Sequence, residues 1–194
     1  MPRAHAAAFA LVLLTQVTPA DAVAAEPSAY PVTLLGGLSV QGASVGGMSL
    51  GGVGTGRVLI HGKKLSLDFA GGEGVANQDL RHVGAVFVGG RKTFGPDLYG
   101  RFGFYHQHET PWEDFVNAPL GTIAAVDEHI FHRSGAQLAV GWLRPWDVAM
   151  TDDPWRRLMS GVELSVAALP DDSGPKVIVG FEINAGFGVG ERRR

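Results

Sequence analysis

Six of the seven histidines lie beyond residue 24, and four of them stand at the two ends of one segment, in His106-Gln107-His108-Glu109 and Glu128-His129-Ile130-Phe131-His132. On an extended strand, residues i and i+2 share a face, so His106 and His108 point the same way. With His132 on a neighbouring strand they make a set of imidazoles able to take zinc or copper. The plainer reading of the same residues is a group of rim histidines that meets lipid head groups, with no cofactor. His132-Arg133-Ser134 adds a second chemistry, because it sets a base and a nucleophile on one strand face.

Other chemistries are excluded by composition and pattern. The stretch Gly46 to Gly56 lacks the Lys-Ser/Thr pair of a phosphate-binding loop. A net charge of −3 with an isoelectric point near 6.1 provides no basic field. Basic residues are not interleaved with aromatics, so no nucleic-acid partner is expected. There is no cysteine, hence no disulfide framework.

Strands must position these side chains. Glycine is 28 of 194 residues, about twice its usual share, and no long window repeats apolar residues at helical spacing beyond the N-terminus. From 177 to 189, Val177, Val179, Phe181, Ile183, Ala185, Phe187 and Val189 alternate with Ile178, Gly180, Glu182, Asn184, Gly186 and Gly188. One face is apolar and the other is mainly glycine and polar groups. A soluble sandwich buries the apolar face, whereas a membrane barrel turns it to lipid and fills its lumen with small or polar groups. Seven further strands are predicted: Val162 to Ala168, Ala136 to Trp142, Tyr99 to His108, Arg81 to Gly90, Lys64 to Ala70, one ending at His61, and Val32 to Gln41. The glycines between 46 and 56 leave the register of the strand ending at His61 weakly specified, and a loop is the alternative there. The expected fold is all-β, an eight-stranded antiparallel up-and-down transmembrane β-barrel. Asp68, Arg101, Arg133, Gln137, Glu163, Glu182 and Asn184 are predicted to face inward and to pair across a filled lumen, since eight strands enclose little more than side chains.

The N-terminus carries an export signal. Arg3 precedes the apolar run Ala6 to Leu14, which is too short to span a bilayer as a helix, and Ala22-Val23-Ala24 offers the small residues of a cleavage site. Residues 1–24 are thus predicted as a signal peptide and 25–194 as one barrel domain. If the mature N-terminus begins on the periplasmic side, the longest connection, Glu109 to Glu128, falls outside the cell and presents Trp112 and Phe115 to partners. Trp142, Trp146 and Trp155 suit an interfacial aromatic belt.

On this pattern the chain resembles the small outer-membrane β-barrel proteins of Gram-negative bacteria over its mature length. That resemblance implies export to the outer membrane and contact with its lipid and lipopolysaccharide. The His-x-Ser of His132 and Ser134 resembles the motif of the lipid A 3-O-deacylase family, eight-stranded barrels with an active site on the lipid-facing wall. The resemblance implies ester cleavage of an acyl chain, with His132 as general base and Ser134 as nucleophile. The family's Asn after the serine is Gly135 here, and Glu128, Asp147 or Asp152 would have to orient the imidazole. The function expected is a non-catalytic outer-membrane barrel, the alternatives being such an esterase or a soluble periplasmic barrel that holds an apolar ligand.

Overall fold

The computed structural model describes residues 31–43, 49–62, 65–76, 80–95, 97–124, 130–145, 157–170 and 176–189. Eight strands run in chain order: β1 (Val32–Ala43), β2 (Ser49–Ile60), β3 (Ser66–Ala76), β4 (Arg81–Thr93), β5 (Leu98–Pro111), β6 (Phe131–Pro145), β7 (Arg157–Leu169) and β8 (Lys176–Val189). Each pairs antiparallel with the next, and β8 returns to β1 to close the barrel. Two short helices, α1 (Trp112–Asn117) and α2 (Pro119–Ile123), sit between β5 and β6. No backbone edge is left open, which is what a sheet in hydrocarbon requires. The signal-peptide prediction, Trp146 and Trp155 lie outside the described residues.

The apolar stripes point outward. Leu38 is 74% exposed, Ile183 59% and Leu164 56%, while Glu163, Glu182 and Asn184 are buried on the opposite face of the same strands. A soluble barrel with an apolar interior would show the reverse, so that alternative is overturned. From Ser49 onward the Gly-rich segment is strand, not loop. Its odd-numbered residues Val53, Arg57 and Leu59 are buried inside the barrel, and pairing to β1 on one side and β3 on the other holds the register that the glycines leave open.

Strands of 11 to 15 residues exceed the roughly 9 to 11 that a tilted crossing needs. The excess lifts strand ends clear of the apolar band. Trp142 faces outward at the end of the barrel where β1 starts and β8 stops, as an interfacial residue should.

The interior is layered, which the predicted polar filling did not anticipate. Leu35, Leu59, Tyr99, Leu143 and Met159 make an apolar cluster near the Trp142 end. Ala85, Phe87, Tyr105, Ala167, Leu169 and Ile178 make another toward the α1 end. Between them lies a belt of three guanidinium groups, Arg57, Arg91 and Arg101, and three carboxylates, Asp68, Glu163 and Glu182, all buried. Arg57 donates twice to Glu163, at 2.9 and 3.1 Å, and once to Glu182 at 3.4 Å. Its Nε lies 3.6 Å from Asp68. Arg101 Nε and the Tyr99 hydroxyl donate to the same Glu163 oxygen at 2.9 and 2.8 Å. Arg91 lies 3.4 Å over the Tyr99 ring and Arg101 4.0 Å over Phe87. Tyr99 reaches the belt because Gly141 faces it, where a Cβ would collide with the phenol. Side chains therefore fill the lumen at mid-height.

Glu163 and Glu182 are direct cross-strand neighbours, a like-charge pairing that repels unless a cation bridges it. Arg57 is that cation. Arg57→Ala is expected to destabilise the folded barrel by about 3 to 5 kcal/mol, the usual loss on stranding a buried charge. The check is the urea midpoint for loss of the compact band on unheated gels; adding Glu182→Gln should recover part of the fall.

Candidate functional site

At the α1 end the outer wall stops being apolar. Register places Glu73 of β3 opposite Gly84 of β4, Gly84 opposite His108 of β5, and His108 opposite His132 of β6, one row across four strands. His106 and Ser134 face each other one outward position further from the rim, and His82 lies one outward position nearer to it, on β4. All share the outward parity of Phe102, Phe104 and Leu138, as the i, i+2 rule requires.

Ser134 Oγ lies 2.8 Å from His106 Nδ1, and His106 Nε2 lies 3.3 Å from His132 Nδ1. Ser134 thus meets an imidazole as expected, but that of His106 and not that of His132. Strand geometry explains the difference. Residues i and i+2 on one strand are about 6.6 Å apart, whereas directly opposed cross-strand residues are about 4.5 to 5.5 Å apart. His132 stands behind His106, their ring centroids 5.4 Å apart. Gly135 has no room for the family's asparagine, because a Cβ there would meet the Ala168 carbonyl on β7. Glu128, Asp147 and Asp152 lie outside the described residues.

His108 shares the outer wall with His106 and His132, at centroid distances of 6.4 and 6.3 Å, yet it turns the other way. Its ring leans over Gly84, where any Cβ would run into it. Among the described residues, the group of three whose donor atoms lie mutually within 4.8 Å is His108, His82 and Glu73, not the three histidines singled out from spacing. His82 Nε2 is 2.8 Å from the Glu73 carboxylate. Sequence reasoning passed over both residues. The signal was available: each is a polar group on a strand face otherwise apolar or glycine, as far as Gly90 on β4.

A helix covers this corner. Phe115 of α1 stacks on the His82 ring at 4.1 Å and 8°, and Trp112 packs on Phe115 at 5.1 Å. The Trp112 N–H donates to the Leu80 carbonyl at 3.0 Å. Leu80, just before β4, takes a φ of 41°, a left-handed conformation that leucine seldom adopts. His82 and His108 are consequently 3% and 4% exposed, while His132 stays open. Trp112 and Phe115, expected to face partners, are half-buried, Phe115 against the wall and Trp112 against Phe115; Val116, Leu120 and Ile123 are the large exposed apolar residues of the two helices. Inside the same end, Lys176 and Arg133 both pair with Glu109.

No protein-family model matches the sequence, and no curated protein matches it. Solved structures do. Neisserial surface protein A aligns over 84% of this chain and 97% of its own, at 14% identity and a TM-score of 0.52. Ail, the attachment invasion locus protein of Yersinia pestis, aligns over 80% and 96%, at 11% identity and a TM-score of 0.45. A de novo designed transmembrane β-barrel aligns over 78% and 94%, at 18% identity and a TM-score of 0.41. The likeness to the Neisserial protein shows the shared fold, that of the small outer-membrane barrels.

If Phe115 is what shields His82, diethylpyrocarbonate should label His132 well before His82 and His108. Phe115→Ala should bring His82 into the early group, read by peptide mass spectrometry.

Proposed function

We propose that the protein is a non-catalytic component of the bacterial outer membrane, exported by residues 1–24, that stands in the bilayer as a filled barrel. Its role is structural or one of surface interaction, directed to outer-membrane lipid and lipopolysaccharide through the outward wall and its helical corner. The observation that carries this reading is the polarity of the tube: apolar side chains outside, and charges neutralised inside by partners such as Arg57 and Glu163. Such a surface has a stable home only in hydrocarbon. Arginines and carboxylates locked together at mid-height favour a post over a pore. The expected outcome is sedimentation with outer membranes and a gel mobility that changes on boiling. Release in an osmotic-shock fraction would defeat the reading.

A second reading rests on the 2.8 Å contact between Ser134 and His106. As an esterase on the lipid-facing wall, Ser134 Oγ would attack the carbonyl carbon of an acyl ester while its proton passes to His106 Nδ1. His106 Nε2–H would be held by His132 Nδ1, in place of the usual carboxylate. The ester C–O bond breaks with return of that proton to the alkoxide, and water then frees the acyl group. In lipid A weighed by mass spectrometry from expressing cells, this reading predicts loss of an acyl chain that Ser134→Ala and His106→Ala each abolish. Unchanged acylation leaves the non-catalytic reading standing alone.

A further inference from the structure

The geometry points to a divalent metal site of the zinc type on the outer wall beneath α1, with Glu73, His82 and His108 as its protein ligands. It depends on the fold and not on either functional reading above.

Three strands build the site around a missing side chain. Glu73 and His108 are both register partners of Gly84, and His82 lies two residues before Gly84 on the same face. Gly84 is therefore a gap ringed by one carboxylate and two imidazoles. His108 fills part of the gap by lying over the glycine backbone, and this draws its ring toward His82, centroid to centroid at 6.0 Å. An alanine at 84 would keep the ring upright and away.

The donor set suits zinc. Two imidazoles and a carboxylate are the protein ligands of a site that leaves a fourth position for solvent or substrate. They are too nitrogen-rich for calcium or magnesium. Tetrahedral zinc with ligands at about 2.1 Å sets its donors roughly 3.4 Å apart. The three donors already lie within 4.8 Å of one another, so closing on an ion takes side-chain rotations of about an ångström and no backbone movement.

A second observation indicates a ligand. His82 and His108 are over nine-tenths buried, yet His82 Nδ1 and His108 Nε2 find no hydrogen-bond partner among the described residues. A buried ring nitrogen without a partner is unfavourable, and an ion on His108 Nε2 satisfies that one directly, while His82 would offer Nε2, the nitrogen that already faces Glu73. The His82–Glu73 hydrogen bond is the arrangement that holds the carboxylate in place until the proton on His82 is displaced, since metal ligation requires neutral imidazole and releases protons. Phe115, stacked on His82, supplies the hydrophobic shelter that fixes ligand orientation around such sites.

The test is zinc titration of the full-length protein purified in detergent, followed by calorimetry and by metal content after dialysis. One zinc per chain is expected, with no binding of calcium or magnesium. Glu73→Gln, His82→Ala and Gly84→Ala should each weaken zinc binding by about tenfold or more. The double variant His106→Ala/His132→Ala should bind as the unaltered protein does. Each variant is first checked for the gel shift on boiling; Glu73→Gln, at a half-exposed carboxylate, keeps the test valid if a histidine variant fails to fold. Absence of stoichiometric zinc overturns the proposal. So does zinc that survives Glu73→Gln but is lost with His106 and His132, because the ion would then sit on the exposed histidine pair.

Discussion

Everything in this barrel follows from putting Arg57 and Glu163 in the lumen and pairing them there. A tube whose exterior is given over to Leu38, Leu164, Phe181 and Ile183 has only its interior left for charge. Charge removed from water is tolerated only when paired and hydrogen-bonded. Glu163 accepts from Arg57, Arg101 and Tyr99, so one carboxylate on β7 ties together β2 and β5 from across the tube. The apolar clusters above and below then shut water out of that belt, which strengthens each contact. The result is a solid rod, braced across its diameter.

A braced core frees the ends for other work. Because the strands overrun the membrane's apolar thickness, their last residues need not be hydrophobic, and at the α1 end four adjacent strands carry polar outward groups in register. Glu73 and His82 meet His108 there, and His106 meets Ser134. The corner divides into a covered half under Phe115 and an open half at His132. A single glycine, Gly84, separates the two by deciding which way His108 lies.

The strands were largely legible because a period of two is a strong local signal and its sense, apolar outward, recurs in every hairpin. The lumen residues Asp68, Arg101, Gln137, Glu163, Glu182 and Asn184 followed from parity alone and are all buried. Arg57 and Arg91 escaped notice for different reasons: one sits in a run of glycines whose register only its neighbours specify, the other beyond the predicted end of its strand. The site was half legible. Proximity of His106, His108, His132 and Ser134 could be read from two strands joined by one loop. Which imidazole touches the serine depends on the shorter distance across a ladder than along a strand. The pairing of His82 with Glu73 depends on a β3–β4 register that spacing does not encode, and the burial of His82 and His108 depends on a helix where a loop was expected.

The layout of the central belt has a consequence for how the chain assembles. Its cations, Arg57, Arg91 and Arg101, belong to β2, β4 and β5, whereas two of its three carboxylates, Glu163 and Glu182, arrive only with β7 and β8. Within the belt, the first five strands therefore carry three guanidinium groups against one carboxylate, Asp68; Glu109, the other buried acid they supply, lies nearer the α1 end. Until β7 and β8 join, the belt is short of the two carboxylates that pair its cations, an arrangement that opposes burial away from water. Neutralisation of the belt comes with the last two strands, and one of them, β8, is also the strand whose pairing to β1 closes the barrel.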